Sequence, residues 1–462
     1  MILNPSIVLL VPPGPSHYLT PPLGLGYLAG ALKRLKIGEV KILDSKLLGF
    51  DIKQIIECLV SISPDFVGIT VFSMEVECSR RLAKEIRLKL PNTCIIFGGP
   101  HITALGAESL SQFPEAHALM SGEGEKSFVQ FVRGVVNKTS LEGIPGLITR
   151  ETTFVPPEPI EDLDSIGFPD WELIAPHTYP PLPQGAFFEK WPIAPILTSR
   201  GCPFHCSYCA GHLTMGRKLR FRSLNSIFDE IDTLFSKFGV REFHIVDDSF
   251  SQEKSRVLEF CKYFRKLPET CSFTFPNGLR LDTLDREMLD VMKKSGLHSP
   301  TLGIESGSQR ILDKMKKGLS LEIIKEKVLL MSDLDLKPNA FFIIGYPGET
   351  KKDIQKTIDF ALSLPLNRVQ FSNFLPLPGT EITKELQNSH NLERIPYEAL
   401  HYACEAYTPK GFKPGEIKYF QRKANRKFYM RPSRIIELLK SVKSFRHFRL
   451  LLKRMLDYAI KF

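Results

Sequence analysis

Arg200-Gly201-Cys202-Pro203-Phe204-His205-Cys206-Ser207-Tyr208-Cys209 sets three cysteines in a CxxxCxxC spacing. Three thiolates bind three irons of a cubane cluster, whereas ordinary ferredoxin sites use four. The fourth iron is then open to a chelating ligand from outside the chain. The competing reading is zinc, with His205 or His212 as fourth ligand. Structural zinc sites prefer pairs of close ligands separated by a longer loop, and a single tight triplet does not fit that pattern.

Downstream of the triplet the chain has an α/β rhythm. The apolar run Ile196 to Thr198 reads as a strand, and further strands are expected at Glu242 to Val246, Ser272 to Pro276, Thr301 to Ile304, Ala340 to Ile344 and Arg368 to Phe374, with helical patterns between them. Six such units over residues 191–390 predict a partial (β/α)6 barrel of the TIM type, with its site at the carboxyl ends of the strands. The cysteines then follow the first barrel strand.

Upstream, residues 1–150 carry a second rhythm. Strands are expected at Ser6 to Val11, Val40 to Leu43, Phe66 to Phe72 and Thr93 to Phe97. Helices are expected at Leu23 to Leu35, Ile52 to Ile62, Ser79 to Leu90 and Glu123 to Val136. Strands alternating with helices imply a parallel, Rossmann-like sheet, whose ligands bind at the strand carboxyl ends. Residues 151–190 are rich in proline, among them Pro156, Pro157, Pro159, Pro169, Pro176, Pro180, Pro181 and Pro183, and read as a linker laid across the surface. Residues 391–462 read as mostly helical. The fold class is therefore α/β, two units in series, with a helical tail.

Composition narrows the function classes. Nine cysteines scattered over 462 residues do not make a disulfide scaffold, and point to a reducing, cytoplasmic setting in which an iron–sulfur cluster survives. No run approaches the roughly 20 apolar residues of a membrane span, and the apolar N-terminus lacks the basic flank of a signal peptide. The net charge of +10 is concentrated at one end, since fifteen Lys/Arg stand against three acids from Lys413 onward. Apolar residues from Ile435 to Ala459 recur near helical spacing, with Lys440, Lys443, Arg446, Arg449, Lys453 and Arg454 between them. A basic amphipathic helix of this kind can lie on an anionic membrane surface, and a helix packed on the barrel explains it equally. Nucleic acid is a poorer fit, because no stacking motif accompanies the charge.

The triplet, with Tyr208 before its last cysteine, resembles the cluster motif of the radical S-adenosylmethionine (SAM) superfamily. That resemblance implies a 4Fe-4S cluster on Cys202, Cys206 and Cys209, SAM chelated by the open iron, and a 5′-deoxyadenosyl radical formed after reduction by a flavodoxin- or ferredoxin-type donor. Marks at successive strand ends agree with it: His244 to Phe250, Asn277-Gly278-Leu279-Arg280, Gly303 to Ser308, Phe342 to Gly348 and Pro376 to Thr380. Tyr208, Asp247, Asp248, Glu305, Ser306 and Arg310 are the implied SAM contacts.

The N-terminal unit resembles the cobalamin-binding domain fused to one subclass of these proteins, through Pro21-Pro22-Leu23-Gly24-Leu25-Gly26-Tyr27-Leu28, Gly98-Gly99-Pro100-His101 and Gly122-Glu123-Gly124-Glu125. The implied cobalamin contacts are Pro13, Gly14, Asp44, Ser73, Gly98, Gly99, Pro100, His101, Gly122 and Glu123. Two departures stand out. Where many cobalamin domains have Asp-x-His-x-x-Gly, this chain has Asp44-Ser45-Lys46-Leu47-Leu48-Gly49, and a lysine ammonium is a poor cobalt ligand. The other is Gly296-Leu297-His298-Ser299-Pro300, where relatives usually carry a small or cysteine residue soon after the glycine, and where Pro300 must sit at a strand start or edge.

The resemblance implies methyl transfer to an unactivated carbon of a small-molecule or lipid-like substrate. A cyclase or oxidoreductase that uses cobalamin without methyl transfer is the enzymatic alternative, and a cobalamin-binding sensor with a structural cluster is the non-enzymatic one.

Overall fold

The computed structural model describes residues 4–14, 19–181, 188–268 and 270–432. The basic amphipathic segment beyond 432 lies outside the described residues, as does Pro183.

Two α/β units follow one another. The first holds a six-stranded sheet in the order β2-β1-β3-β4-β5-β6, built from β1 (Ser6–Val11), β2 (Glu39–Asp44), β3 (Phe66–Thr70), β4 (Cys94–Gly98), β5 (Ala118–Met120) and β6 (Leu147–Ile148). All pairs are parallel except β5 with β6. Ile7, Val8, Leu9 and Leu10 of β1 have no exposed surface, as expected of a central parallel strand covered by helices on both faces. The order reverses between β1 and β3, and that switch point opens a crevice at the strand carboxyl ends. Helix Ile52–Ile62 begins with a capping box in which the Asp51 carboxylate accepts from Gln54 N–H and the Gln54 side chain accepts from Asp51 N–H.

Six parallel strands form the second unit: β7 (Ile193–Ile196), β10 (Glu242–Ile245), β11 (Ser272–Thr274), β12 (Thr301–Glu305), β13 (Asn339–Ile344) and β14 (Arg368–Asn373). They pair as two three-stranded arcs, β11-β10-β7 and β12-β13-β14, joined by an isolated parallel bridge from Leu279 to Leu302. The result is an open (β/α)6 arc. Phe243, Phe273, Leu302, Phe342 and Phe371 turn outward into the main core beneath the helices. Their neighbours Glu242, His244, Ser272 and Thr274 belong to the opposite, lumen face of the strands.

The first barrel strand begins and ends three and two residues earlier than Ile196 to Thr198 suggests. Pro195 is tolerated because β7 pairs only with β10 and is an edge strand. Thr198 is instead held by Asp247. Four further strands were not anticipated. β5 is only three residues long and β6 two, and β8 (Ser199–Arg200) and β9 (Arg220–Phe221) form a two-residue antiparallel ladder around the cysteine loop. No periodicity is measurable over such lengths.

The segment between the units is ordered where described, and it packs. Ile160, Leu163 and Ile166 join Tyr27 and Leu197 in a buried cluster at the junction, while Trp171 donates to the buried Glu230 at 2.9 Å. Among the described residues no helix is long and apolar enough to cross a membrane.

Candidate functional site

The cysteines occupy the loop that β8 and β9 close. Gly201 opens it at φ +98°, and a Cβ there would stand 2.2 Å from the Lys218 carbonyl, so only glycine allows the loop to turn back on itself. Cys202 N–H donates to the Gly216 carbonyl at 3.1 Å and ties the loop's start to its end. Ser207 pins the middle to the barrel, with its N–H on the Met315 carbonyl at 3.0 Å and its hydroxyl 2.8 Å from that of Tyr346. Cys202, Cys206 and Cys209 are half-buried free thiols. Among the described residues no three His, Cys, Asp or Glu side chains converge as one metal ion requires. A cubane takes each thiolate on a different iron, so its cysteines need not converge on one point. The donor set and the loop around it therefore fit a cluster held by three cysteines.

Three of the six expected SAM contacts border this loop. Glu305 ends β12 at φ +68°, beyond a register shift in the β12–β13 ladder, a strained backbone of the kind found at functional sites. Its carboxylate is bound by Lys317 Nζ at 2.9 Å, and that ammonium also reaches the Tyr208 hydroxyl at 3.4 Å. Gly303 makes room for the pair, since a Cβ there would lie 2.7 Å from Glu305 Oε1 and 3.0 Å from Lys317 Nζ. Burial works against the Lys317 charge, but Glu305 outweighs it and raises the lysine pKa. Burial, with Glu305 next, drives the Tyr208 phenol well up. Asp248 faces the loop from the end of β10 beside Gly211, and its surroundings together with Asp247 push its pKa up to about 6. Lys317 was not legible, because Lys314-Met315-Lys316-Lys317-Gly318 reads as a solvated basic run. Arg280, from the strand-end mark Asn277–Arg280, lays its guanidinium 3.5 Å over the Phe204 ring of the loop.

The other three are committed to the scaffold. Asp247 spends its oxygens on Thr198 N–H at 2.6 Å, the Thr198 hydroxyl and the Ser199 hydroxyl at 2.6 Å. It thereby anchors the base of the hairpin to β10. Ser306 is fully buried against Thr357, 3.2 Å away. Arg310 donates to the Gly348 carbonyl at 3.0 Å and pairs with Asp353.

At the carboxyl edge of the first sheet, most expected cobalamin contacts with functional side chains bond to protein. Asp44 caps the turn at Lys46 and Leu47 at 3.1 Å each and accepts from the Tyr179 hydroxyl at 3.1 Å. Lys46, the residue in place of the histidine, pairs with the buried Glu75. His101 is fully buried, with Nδ1 3.0 Å from the Ser73 hydroxyl and Nε2 2.9 Å from Gln112 Oε1. With both ring nitrogens occupied, neither His101 nor Ser73 stands as a free ligand. Glu123 is taken by Arg220 and Arg200. Gly26 and Gly30 of the Pro21–Leu28 region serve packing rather than the edge, since Cβ atoms there would meet Ile174 at 2.6 Å and the Phe168 carbonyl at 2.5 Å.

What remains at that edge is backbone and apolar surface. Pro13 and Gly14 follow β1, Gly98 ends β4 and Gly99-Pro100 follow it with Gly99 at φ +96°, and Gly122 follows β5 at φ +81°. Leu48 and Phe72, just past β2 and β3, are 51% and 48% exposed. A large, flat, amide-rimmed macrocycle is held by such a surface through contact area and main-chain hydrogen bonds, so the edge fits a corrin.

Comparison with known proteins agrees with both halves. Residues 196–361 match the model of the radical SAM superfamily, and residues 14–132 match the B12-binding domain. The chain is 29% identical to an uncharacterised methyltransferase of Pyrococcus horikoshii, over 97% of this chain and 96% of that one. It is 29% identical to the cytidylyl-2-hydroxyethylphosphonate methyltransferase of Streptomyces wedmorensis, over 83% and 81%. It is 27% identical to an anaerobic magnesium-protoporphyrin IX monomethyl ester cyclase of Cereibacter sphaeroides, over 89% and 67%. Its fold is that of the cobalamin-dependent SAM radical enzyme OxsB, with a TM-score of 0.75 at 16% identity, covering 98% of this chain and 71% of that one.

Proposed function

The chain belongs to the radical SAM proteins that carry a B12-binding domain, and on that premise we propose that it is a methyltransferase acting on an unactivated carbon. The observation that carries the reading is the placement of two different cofactor edges in one chain. One is a three-cysteine loop at the mouth of an open barrel, and the other a side-chain-poor corrin edge on the preceding sheet. Bound together, the cofactors supply hydrogen-atom abstraction and a transferable methyl group.

In this reading Cys202, Cys206 and Cys209 hold the cluster. Tyr208, Asp248, Glu305 and Lys317 border SAM, and Glu305 and Asp248 are the acceptors suited to its ammonium and ribose hydroxyls. The glycine-rich strand ends of the first unit carry the corrin, with no histidine from the Asp44–Gly49 turn. The substrate is a small molecule admitted at the barrel mouth, and an external flavodoxin- or ferredoxin-type protein reduces the cluster. The related cyclase supports a second reading, in which cobalamin takes part without methyl transfer.

The test is turnover of anaerobically reconstituted protein with trideuteromethyl-SAM, hydroxocobalamin and a chemical reductant, against extracts as the substrate source. Label in a product, with 5′-deoxyadenosine released, supports methyl transfer. Deoxyadenosine release with substrate consumed and no label in any product overturns it in favour of the cyclase-type reading.

A further inference from the structure

The two-residue hairpin that closes the cysteine loop carries an arginine on each strand, and the two stand directly opposite each other, Arg200 against Arg220. Like charges in that position repel. Both are 3% exposed or less, and what neutralises them comes from the other unit. Glu123 takes Arg220 as a bidentate pair at 2.6 and 3.0 Å and Arg200 at 3.4 Å, while Glu125 takes Arg200 at 2.5 Å. Both glutamates lie where the chain leaves β5 and enters helix Gly124–Asn137, immediately after Gly122 on the edge that fits the corrin.

Arg220 also donates to the Met215 carbonyl at 2.7 Å, and the next residue's carbonyl, that of Gly216, accepts from Cys202 N–H at 3.1 Å. A continuous run of strong contacts thus leads from the corrin edge to the first cysteine. Its other branch passes through Arg200, whose neighbour Ser199 is fixed by Asp247.

We infer that Arg200, Arg220, Glu123 and Glu125 are positioning residues that couple the two cofactor sites, fixing the cysteine loop against the corrin edge so that occupancy of one site strengthens the other. The inference rests on the proposed function, because it needs both cofactors in one chain. Bidentate guanidinium–carboxylate pairs suit the role, since their geometry is directional as well as strong. Coupling between two sites is reciprocal and is measurable from either.

The experiment uses the full chain, reconstituted with and without the cluster, titrated with hydroxocobalamin. Loading the cluster should raise corrin affinity by roughly tenfold, within the usual range for coupled sites. Glu125→Gln, which keeps the shape and removes the charge, should reduce that gain to less than about twofold while iron content and bound corrin at saturation stay at wild-type levels. In doubly loaded, reduced protein, the dipolar coupling between the cluster spin and cob(II)alamin should be sharp in the wild type. It should broaden in Glu125→Gln and return in Glu125→Asp. Arg220→Lys, which keeps the charge but loses the bidentate fork, provides a second variant should Glu125→Gln fail to fold. Wild-type protein that binds both cofactors without mutual effect overturns the inference and leaves the function standing. So does a variant that folds and keeps the full gain and a sharp spectrum. Wild-type protein that binds no corrin overturns the function as well.

Discussion

The two carboxyl edges of this molecule are built on opposite plans. On the barrel, the residues that matter most gather beside the cysteine loop: three half-buried thiols, the buried pair Glu305–Lys317, and Asp248. On the first sheet, the conspicuous side chains turn on one another. Asp44 is taken by Tyr179, Lys46 by Glu75, His101 by Ser73 and Gln112, and Glu123 by two arginines. Glycine, backbone and exposed Leu48 and Phe72 are left at the surface. The difference matches what each edge would hold under the proposed function. An iron cluster makes a few covalent bonds and needs specific donors, whereas a corrin is bound over a wide area and needs the donors out of the way.

The sharpest break of that contrast is Cys206→Ala. Removal of one of three donors should cut reduction-dependent deoxyadenosine release by roughly ten-thousandfold, about 5.5 kcal/mol of barrier, and abolish the cluster's EPR signal, with hydroxocobalamin still bound. Glu123→Ala comes next. It leaves two buried guanidiniums underpaired, and removing one partner of such a pair costs about 4 kcal/mol. A loss of that size in the unfolding free energy from urea titration is expected, and no loss would mean that the junction is wet and its charges solvated.

At the barrel floor, Glu242 accepts from His244 at 2.9 Å and lies 3.3 Å from His298. Burial alone would raise its pKa, but the two imidazoles outweigh burial and hold it at about 2. Its folded pKa is depressed, so its contribution is present above the ordinary carboxylate range and is lost as pH falls from about 4.5 towards 2. Glu242→Gln should cost on the order of 3 kcal/mol at neutral pH and flatten the acid limb of the stability curve, while both cofactors still bind. The smallest effect is expected of His101→Ala, about 2 kcal/mol through unpaired buried partners. The visible spectrum of bound cobalamin should not change, and a shifted spectrum would make His101 a cobalt ligand after all.

The contrast also explains what could be read in advance. The element order was legible because parallel strands buried on both faces make apolar runs and the helices are capped by local residues such as Asp51. The cysteines were legible because ligand spacing is local. The position of Glu305 and Asp248 near the cysteine loop was legible because both lie at barrel strand ends. Asp247, Ser306, Arg310 and His101 share the same local signature, and only tertiary neighbours commit them to the scaffold. Lys317 was hidden because burial of a lysine depends on Gly303 and Glu305, more than ten residues upstream. The hairpin arginines were hidden because their partners are in the other unit.

That last arrangement bears on how the protein is made. The glutamates that neutralise the hairpin lie 75 to 97 positions earlier in the chain than the arginines they meet. Domains generally fold as units, N-terminal first, during synthesis, so the acidic cradle exists before the cysteines leave the ribosome. Iron delivery then meets a loop whose stem has already found its counter-charges. A barrel produced without its leading unit would leave the two facing guanidiniums of the hairpin without these carboxylates. Through the junction the leading unit supplies the counter-charges of the hairpin before the hairpin itself is made.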